Sequence, residues 1–369
     1  MPQQSGWSQV GNRVRTARTQ CGMSQDQVAS RLGVDRTAVM RIESGARKVS
    51  ALELGALAEL FGVPLGYFVM TPPAVVVSRR GPEPEEPDEA ARQVWRLDVD
   101  LDSHARDVAW LAGGGFLPPP RVADWDLPGR LDHDRARQHA RLVRRGVGRE
   151  TGPLDNLIDF CAHWGLHLLV VDRDADGASM QVENNPGVGA AVIGGRVDPG
   201  RRRFTAAHEL GHHILQDPYS NDAGLAVSRD EREQTINAFA QELLLPREDV
   251  RQEMAGTDDQ WAAAVRLAAS YRVSWSVVVR SAAALGLVDE GEAQKLRARQ
   301  PVRGDFLAVV GAVPQPDLPL GATSSQWKKA VLSAYTSASI TGARALELLH
   351  GAATSIDELP VRNEADVIP

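Results

Sequence analysis

His208-Glu209-Leu210-Gly211-His212 lies within the stretch RFTAAHELGHHIL. On an α-helix, residues four apart share a face, so His208 and His212 can present two imidazoles to one ion. Glu209, next to His208, stands close enough to work on water held at that ion, which is the chemistry of metal-assisted amide hydrolysis. A hydrolytic zinc takes three protein ligands and keeps one position open, and the third ligand is often a His or Glu from a later helix. Glu233 opens such a segment, EQTINAFAQELLLP. One helical histidine alone is more often a satisfied core or surface group than a ligand, so the reading rests on the set. His213 lies roughly 140° around the helix from His208 and reads as core or surface.

These residues carry a resemblance. RFTAAHELGHHIL followed by E-x-x-x-N-A-F-A-x-E-L-L-L-P resembles the ImmA/IrrE family of zinc metallopeptidases across about 130 to 250. The resemblance implies Zn2+ as cofactor, His208, His212 and Glu233 as its ligands, Glu209 as the catalytic base and Asn237 as a supporting residue. Ile236 departs from the usual Ala before Asn237. Helical geometry is compatible with this assignment. Glu233 and Asn237 are one turn apart, so Asn237 can reach a ring N–H of a ligand His and fix its tautomer. The competing carboxylates point elsewhere, Glu242 roughly 180° around the helix from Glu233 and Glu231 two residues off its face. The apolar stretch at 187–194 reads as a strand just before the active helix, placed to hold extended substrate as an edge strand would. Tyr219 reads as a surface-loop residue.

A second set of residues lies near the start. Ser24 is placed to cap a helix QDQVASRL, Gly33 to turn the chain, and Asp35 to open a second helix running to Ser44. Ala29, Gly33 and Val39 put small or branched residues where two helices cross closely. This block resembles the lambda-repressor-like XRE family of helix-turn-helix regulators over about 60 residues. That resemblance implies a double-stranded DNA operator as partner, with Arg36, Thr37, Met40 and Arg41 at base edges, Gln25 at phosphate, and Arg47 and Lys48 at the backbone. Arg18 and Glu43 match an ion pair that braces the fold. One such domain reads one half-site, so a homodimer is expected.

Charge supports the division. Of the 369 residues, the first 70 hold eight Lys/Arg against five Asp/Glu, a local +3 inside a chain of net charge −7. Two cysteines, Cys21 and Cys161, fall in what read as separate domains, so no disulfide framework is expected and a reducing cytoplasm suits the chain. The start MPQQSGWSQV has no apolar stretch, and no run approaches the roughly 18 apolar residues of a membrane span. No membrane association is expected.

The expected fold class is mainly α with a small α+β part: an N-terminal lambda-repressor-like helix bundle, a zincin-like metallopeptidase domain and a helical C-terminal region. The helix-turn-helix domain is placed at 7–70 and a Pro/Gly-rich linker with a helical segment at 71–129. A peptidase domain at 130–255 and a C-terminal helical region at 256–369 follow. Within 71–90, five prolines and five acidic residues give linker composition. The run LHLLVVD reads as a buried strand. Together the two resemblances imply a DNA-binding regulator that cleaves a repressor protein in stress or mobile-element control, or cleaves itself within 71–129. The alternative is a regulator that does not cut, its peptidase-like domain serving as sensor or dimerisation platform.

Overall fold

A computed structural model describes residues 6–70, 78–80, 88–121, 131–215 and 229–362. Its N-terminal bundle comprises α1 (Gly6–Gln20), α2 (Gln25–Leu32), α3 (Arg36–Glu43), α4 (Ala51–Phe61) and the single turn α5 (Gly66–Val69). Ser24 and Gln27 form a reciprocal capping box at the start of α2, and Gly33 ends that helix at φ 67°, a left-handed conformation that glycine adopts without strain. Asp35 caps α3 through the amide of Ala38 at 2.7 Å. Val14, Val28, Val39, Ile42, Leu57, Phe61 and Phe68 close the core of the bundle.

The strand β1 (Ser78–Arg80) lies inside the expected linker, and the long helix α6 (Glu89–Gly113) follows. The first half of α6 docks on the bundle. Arg96 Nε donates to the Phe61 carbonyl at 2.9 Å, and Trp95 meets Tyr67 edge-on with ring centroids 5.7 Å apart. Its second half, through Leu101, Ala105, Val108 and Leu111, covers one face of a sheet.

After α7 (His133–Arg145) and α8 (Leu157–His163) come β2 (Leu166–Val171), β3 (Gly177–Gln181) and β4 (Gly189–Gly194). The strand order is β1-β3-β4-β2, with β2 and β4 parallel and the other pairings antiparallel. Both faces are covered, which is why LHLLVV reads as a continuous apolar run rather than an alternating one. Alternation still divides the partners. Ala191 and Ile193 of β4 face the core shared with α7, α8 and the helices later in the chain, whereas Ala190 and Val192 face α6.

The helices α9 (Pro199–Leu215) and α10 (Arg229–Leu244) then pack on each other, with α10 also against α7. The buried guanidinium of Arg144 reaches the Leu243 carbonyl at 2.6 Å, a cation at the C-terminal end of α10. Next come α11 (Arg247–Met254), α12 (Gln260–Tyr271), α13 (Trp275–Ala284), α14 (Glu290–Ala298) and α15 (Arg303–Val310). Their apolar faces continue the core of α9 and α10 without a break at residue 255. Trp275, Val278 and Val279 are buried there, so α13 serves packing. Finally α16 (Ser325–Thr336) and α17 (Gly342–Leu348) join α6 on the opposite face of the sheet. The fold is thus mainly α around one small sheet. No described helix is long and apolar enough to cross a membrane.

Candidate metal centre and helix-turn-helix face

The centre is built where α9 and α10 cross. An added Cβ on Gly211 would lie 3.0 Å from Ile236 Cγ2 and Phe239 Cδ1, so the side-chain-free turn of HELGH is what lets α10 approach this closely. Ile236, 1% exposed, fills the space that glycine leaves. The N-terminal part of α9 is pinned by two arginines. Arg202 donates to the Leu318 carbonyl at 2.8 Å, and the fully buried Arg203 pairs with Asp317 and the Leu154 carbonyl.

His208, His212 and Glu233 converge, their ligand atoms all within 4.8 Å of one another. His208 Nε2 lies 3.1 Å from His212 Nε2 and 3.2 Å from Glu233 Oε2, and His212 Nε2 lies 3.8 Å from Glu233 Oε1. Both rings are buried, while the Glu233 side chain is 24% exposed and marks the open side. Asn237 Oδ1 sits 3.1 Å from His208 Nδ1. An amide oxygen there assigns the proton to Nδ1 and leaves the Nε2 lone pair pointing into the cluster. Burial, reinforced by the charge of His208, pushes His212 down to about 3, so its ring is neutral. Two imidazoles and one carboxylate, with one side open, fit a divalent cation with a free coordination position.

Glu209 is fully buried and its Oε2 accepts a hydrogen bond from Ser179 Oγ at 2.7 Å. Ser179 belongs to β3, where alternate residues meet successive turns of α9. The Cβ position of Gly177 lies against Thr205, Ser179 holds Glu209, and Gln181 Nε2 is 3.2 Å from His213 Nδ1. Sequence reasoning did not find Ser179. GASMQ alternates, with Ala178 and Met180 in the core beneath α6 and Gly177, Ser179 and Gln181 toward α9, but two small-to-medium apolar residues in five are too short a pattern to mark a strand in the sequence.

His213 is a core residue. Its Nε2 lies 2.9 Å from the Trp164 carbonyl and burial lowers it to about 4. Glu242 faces away from the cluster, 3% exposed and paired with Arg141 at 3.0 Å. The expectation that the strand before α9 is a free edge is corrected. β4 lies inside the sheet, paired through residues 189–194 with β2 and through 189–193 with β3, so its main chain has no place for an added strand. Tyr219 lies outside the described residues.

On the N-terminal bundle, Arg36, Thr37, Met40 and Arg41 are exposed on α3, as is Lys48 beyond it. Gln25 is half-buried, its Nε2 donating to Glu43 at 2.9 Å, and Arg36 Nε faces Gln25 Oε1 at 3.4 Å. Arg47 is partly buried against Glu53 at 2.7 Å. Arg18 meets the buried Glu43 through Nε at 2.5 Å and Nη2 at 3.4 Å, joining α1 to α3.

Two family profiles match the chain. The helix-turn-helix profile covers residues 14–68 and the IrrE N-terminal-like domain of the peptidase M78 family covers 190–282. The first 59-residue stretch of similarity is to an uncharacterised HTH-type transcriptional regulator of Sinorhizobium medicae (strain WSM419), 34% identical over 16% of this chain and 42% of the relative. A transcriptional regulator in the ATPase CF(0) region of Rhodospirillum rubrum is 37% identical over 59 residues, 16% of this chain and 55% of its own length. The chain therefore spans about half or less of the curated relatives it matches.

Proposed function

We propose that this chain, which carries a helix-turn-helix domain and an IrrE N-terminal-like domain, is a DNA-binding transcriptional regulator with a zinc-dependent endopeptidase centre. The observation that carries the reading is the convergence of His208, His212 and Glu233 beside a buried Glu209 that Ser179 orients. Zn2+ held by those three residues would supply Lewis acidity to the attacking water and the scissile carbonyl. Glu209 accepts the proton of the water as its oxygen adds to the carbonyl carbon. It then passes that proton to the leaving amine as the C–N bond breaks. Asn237 keeps His208 in the ligating tautomer. A regulator that does not cut needs the ligand triad at most and has no use for Glu209 as a base.

Under this reading, Arg36, Thr37, Met40 and Arg41 meet base edges of an operator, and Gln25, Arg47 and Lys48 contact its phosphates. Two copies of the chain read a pair of half-sites. The peptidase substrate is a protein, a repressor or the chain itself, and the site of action is the cytoplasm. The domains run 7–70 and 130–255, joined by the linker at 71–129 and followed by a helical C-terminal region at 256–369, of which α12–α15 continue the core of α9 and α10.

Metal analysis of three purified proteins tests the proposal. Wild type and Glu209→Gln should each hold one zinc per chain and Glu233→Ala should lose it. Only wild type should hydrolyse a protein substrate, while all three retain operator binding. Cleavage by Glu209→Gln at the wild-type rate would sink the assignment.

A further inference from the structure

The linker strand β1 pairs antiparallel with β3, Ser78 opposite Ser179, Arg79 opposite Ala178 and Arg80 opposite Gly177. That register matters because Ser179 is the residue whose hydroxyl holds Glu209. β1 also lies against α9, the helix that carries both histidines and Glu209. An extended polypeptide reaching this centre by main-chain pairing needs a sheet edge beside Glu209. β4 is internal. The outer side of β2 is partly covered by residues 321–322, with Val170 N donating to the Ala322 carbonyl at 3.2 Å and Gly321 N to the Val170 carbonyl at 2.9 Å. The edge of β3 is the one beside Glu209, and β1 is on it.

We infer that the interdomain linker occupies in cis, through Ser78–Arg80, the edge of β3 at which substrate pairs, so that substrate binds only when this strand is released. The inference rests on the peptidase reading for what the edge is for, and on the strand pairing for what fills it. Both ends of the linker are held at one junction. Chain before it ends in the N-terminal bundle, and chain after it enters α6, which docks on that bundle through Arg96 and Trp95. A shift of the bundle on α6 therefore moves one anchor of the strand relative to the other. A three-residue strand contributes few main-chain hydrogen bonds, each worth about 0.5–1.5 kcal/mol net, so release is within reach of such a shift.

The test uses full-length, zinc-loaded Glu209→Gln protein, in which nothing is cut, beside the same protein carrying Ser78→Pro and Arg79→Pro. Whichever of the two residues faces β3, one donor is lost. A third protein with Arg79→Ala keeps the backbone able to pair. Hydrogen exchange of the 177–181 segment should quicken at least tenfold in the proline variant and stay unchanged in the alanine variant. A labelled peptide with the sequence of residues 75–83 should bind the proline variant at least tenfold more tightly than its parent. Equal exchange and equal peptide affinity in parent and proline variant would overturn the inference, whether or not the Glu209 protein cuts. The predicted differences, with no cleavage of any protein substrate or of itself by the counterpart that retains Glu209, would leave the docking standing and defeat the peptidase reading. With Glu209 intact, hydrolysis within the paired strand would also support the docking.

Discussion

Glu209 has the hardest task among the residues of the centre, since a buried carboxylate must face the cluster in one orientation to move a proton. Ser179 supplies that orientation through a 2.7 Å hydrogen bond. Hydrogen bonds to charged groups contribute about 1.5–3 kcal/mol, so Ser179→Ala should lower kcat/KM roughly 10- to 100-fold. Zinc content should not change. Ser179 acts through another residue, so the distinguishing readout is the pH-rate profile, whose acid limb should move with loss of this bond, and Ser179→Thr should restore part of the rate. A uniform loss of rate with an unmoved profile and reduced metal would assign Ser179 to structure only. Helical periodicity paired His208 with His212 on α9 and Glu233 with Asn237 on α10, and the family resemblance joined the two pairs into one set. Ser179 was not legible, since it lies on a short strand and its partner Glu209 stands 30 positions away on α9.

At the scale of elements, the centre depends on how closely α10 crosses α9. The side-chain-free position at Gly211 meets Ile236 and Phe239, and this explains the departure noted at Ile236. A larger residue is accommodated there because glycine opposes it. Gly211→Val should overpack the crossing and destabilise the protein by about 1–3 kcal/mol. Combining it with Ile236→Ala should recover part of that loss, because the second change opens the volume that the first requires. Urea unfolding of the two single variants and the double variant reads the coupling, and strictly additive losses would place the two residues in separate packing environments. The bounds of α2 and α3 were readable from Ser24, Gly33 and Asp35, since caps and left-handed turns are local chemistry. β1 was not readable because three residues carry no pattern, and the alternation in β3 spans only Ala178 and Met180, too short to mark a strand.

For the whole molecule, the sheet is closed by helices from both ends of the chain, and three histidines are buried by that closure. Burial pushes His104 down to about 3 and His167 and His213 to about 4, from 6.5. All three are neutral in the folded chain, whereas the unfolded chain takes up protons near 6.5. Their contribution to stability is fully present above about pH 6.5 and is lost as pH falls toward 4, each at up to about 1.4 kcal/mol per pH unit. Melting temperature should therefore drop between pH 6.5 and 5.5, ahead of most carboxylate titration. His104→Gln, which cannot charge, should flatten the slope. A melting temperature that rises over this window would show that the rings gain protons on folding.

While the two resemblances named the blocks, periodicity and helix caps in the sequence determined that this chain is mainly helical and where α2 and α3 begin and end, and they set His208, Glu209 and His212 in the spacing of a metal site. These are properties of neighbours along a helix, and 3.6-residue periodicity writes them into the sequence. Only the tertiary structure decided that β4 is internal and that Ser179 meets Glu209. It also decided that the helices after residue 255 share the core of α9 and α10, and that linker residues 78–80 form the strand beside the centre. Each of these joins segments far apart in the chain. Main-chain hydrogen bonding and shared burial, which leave no periodic mark on either segment, bring them together.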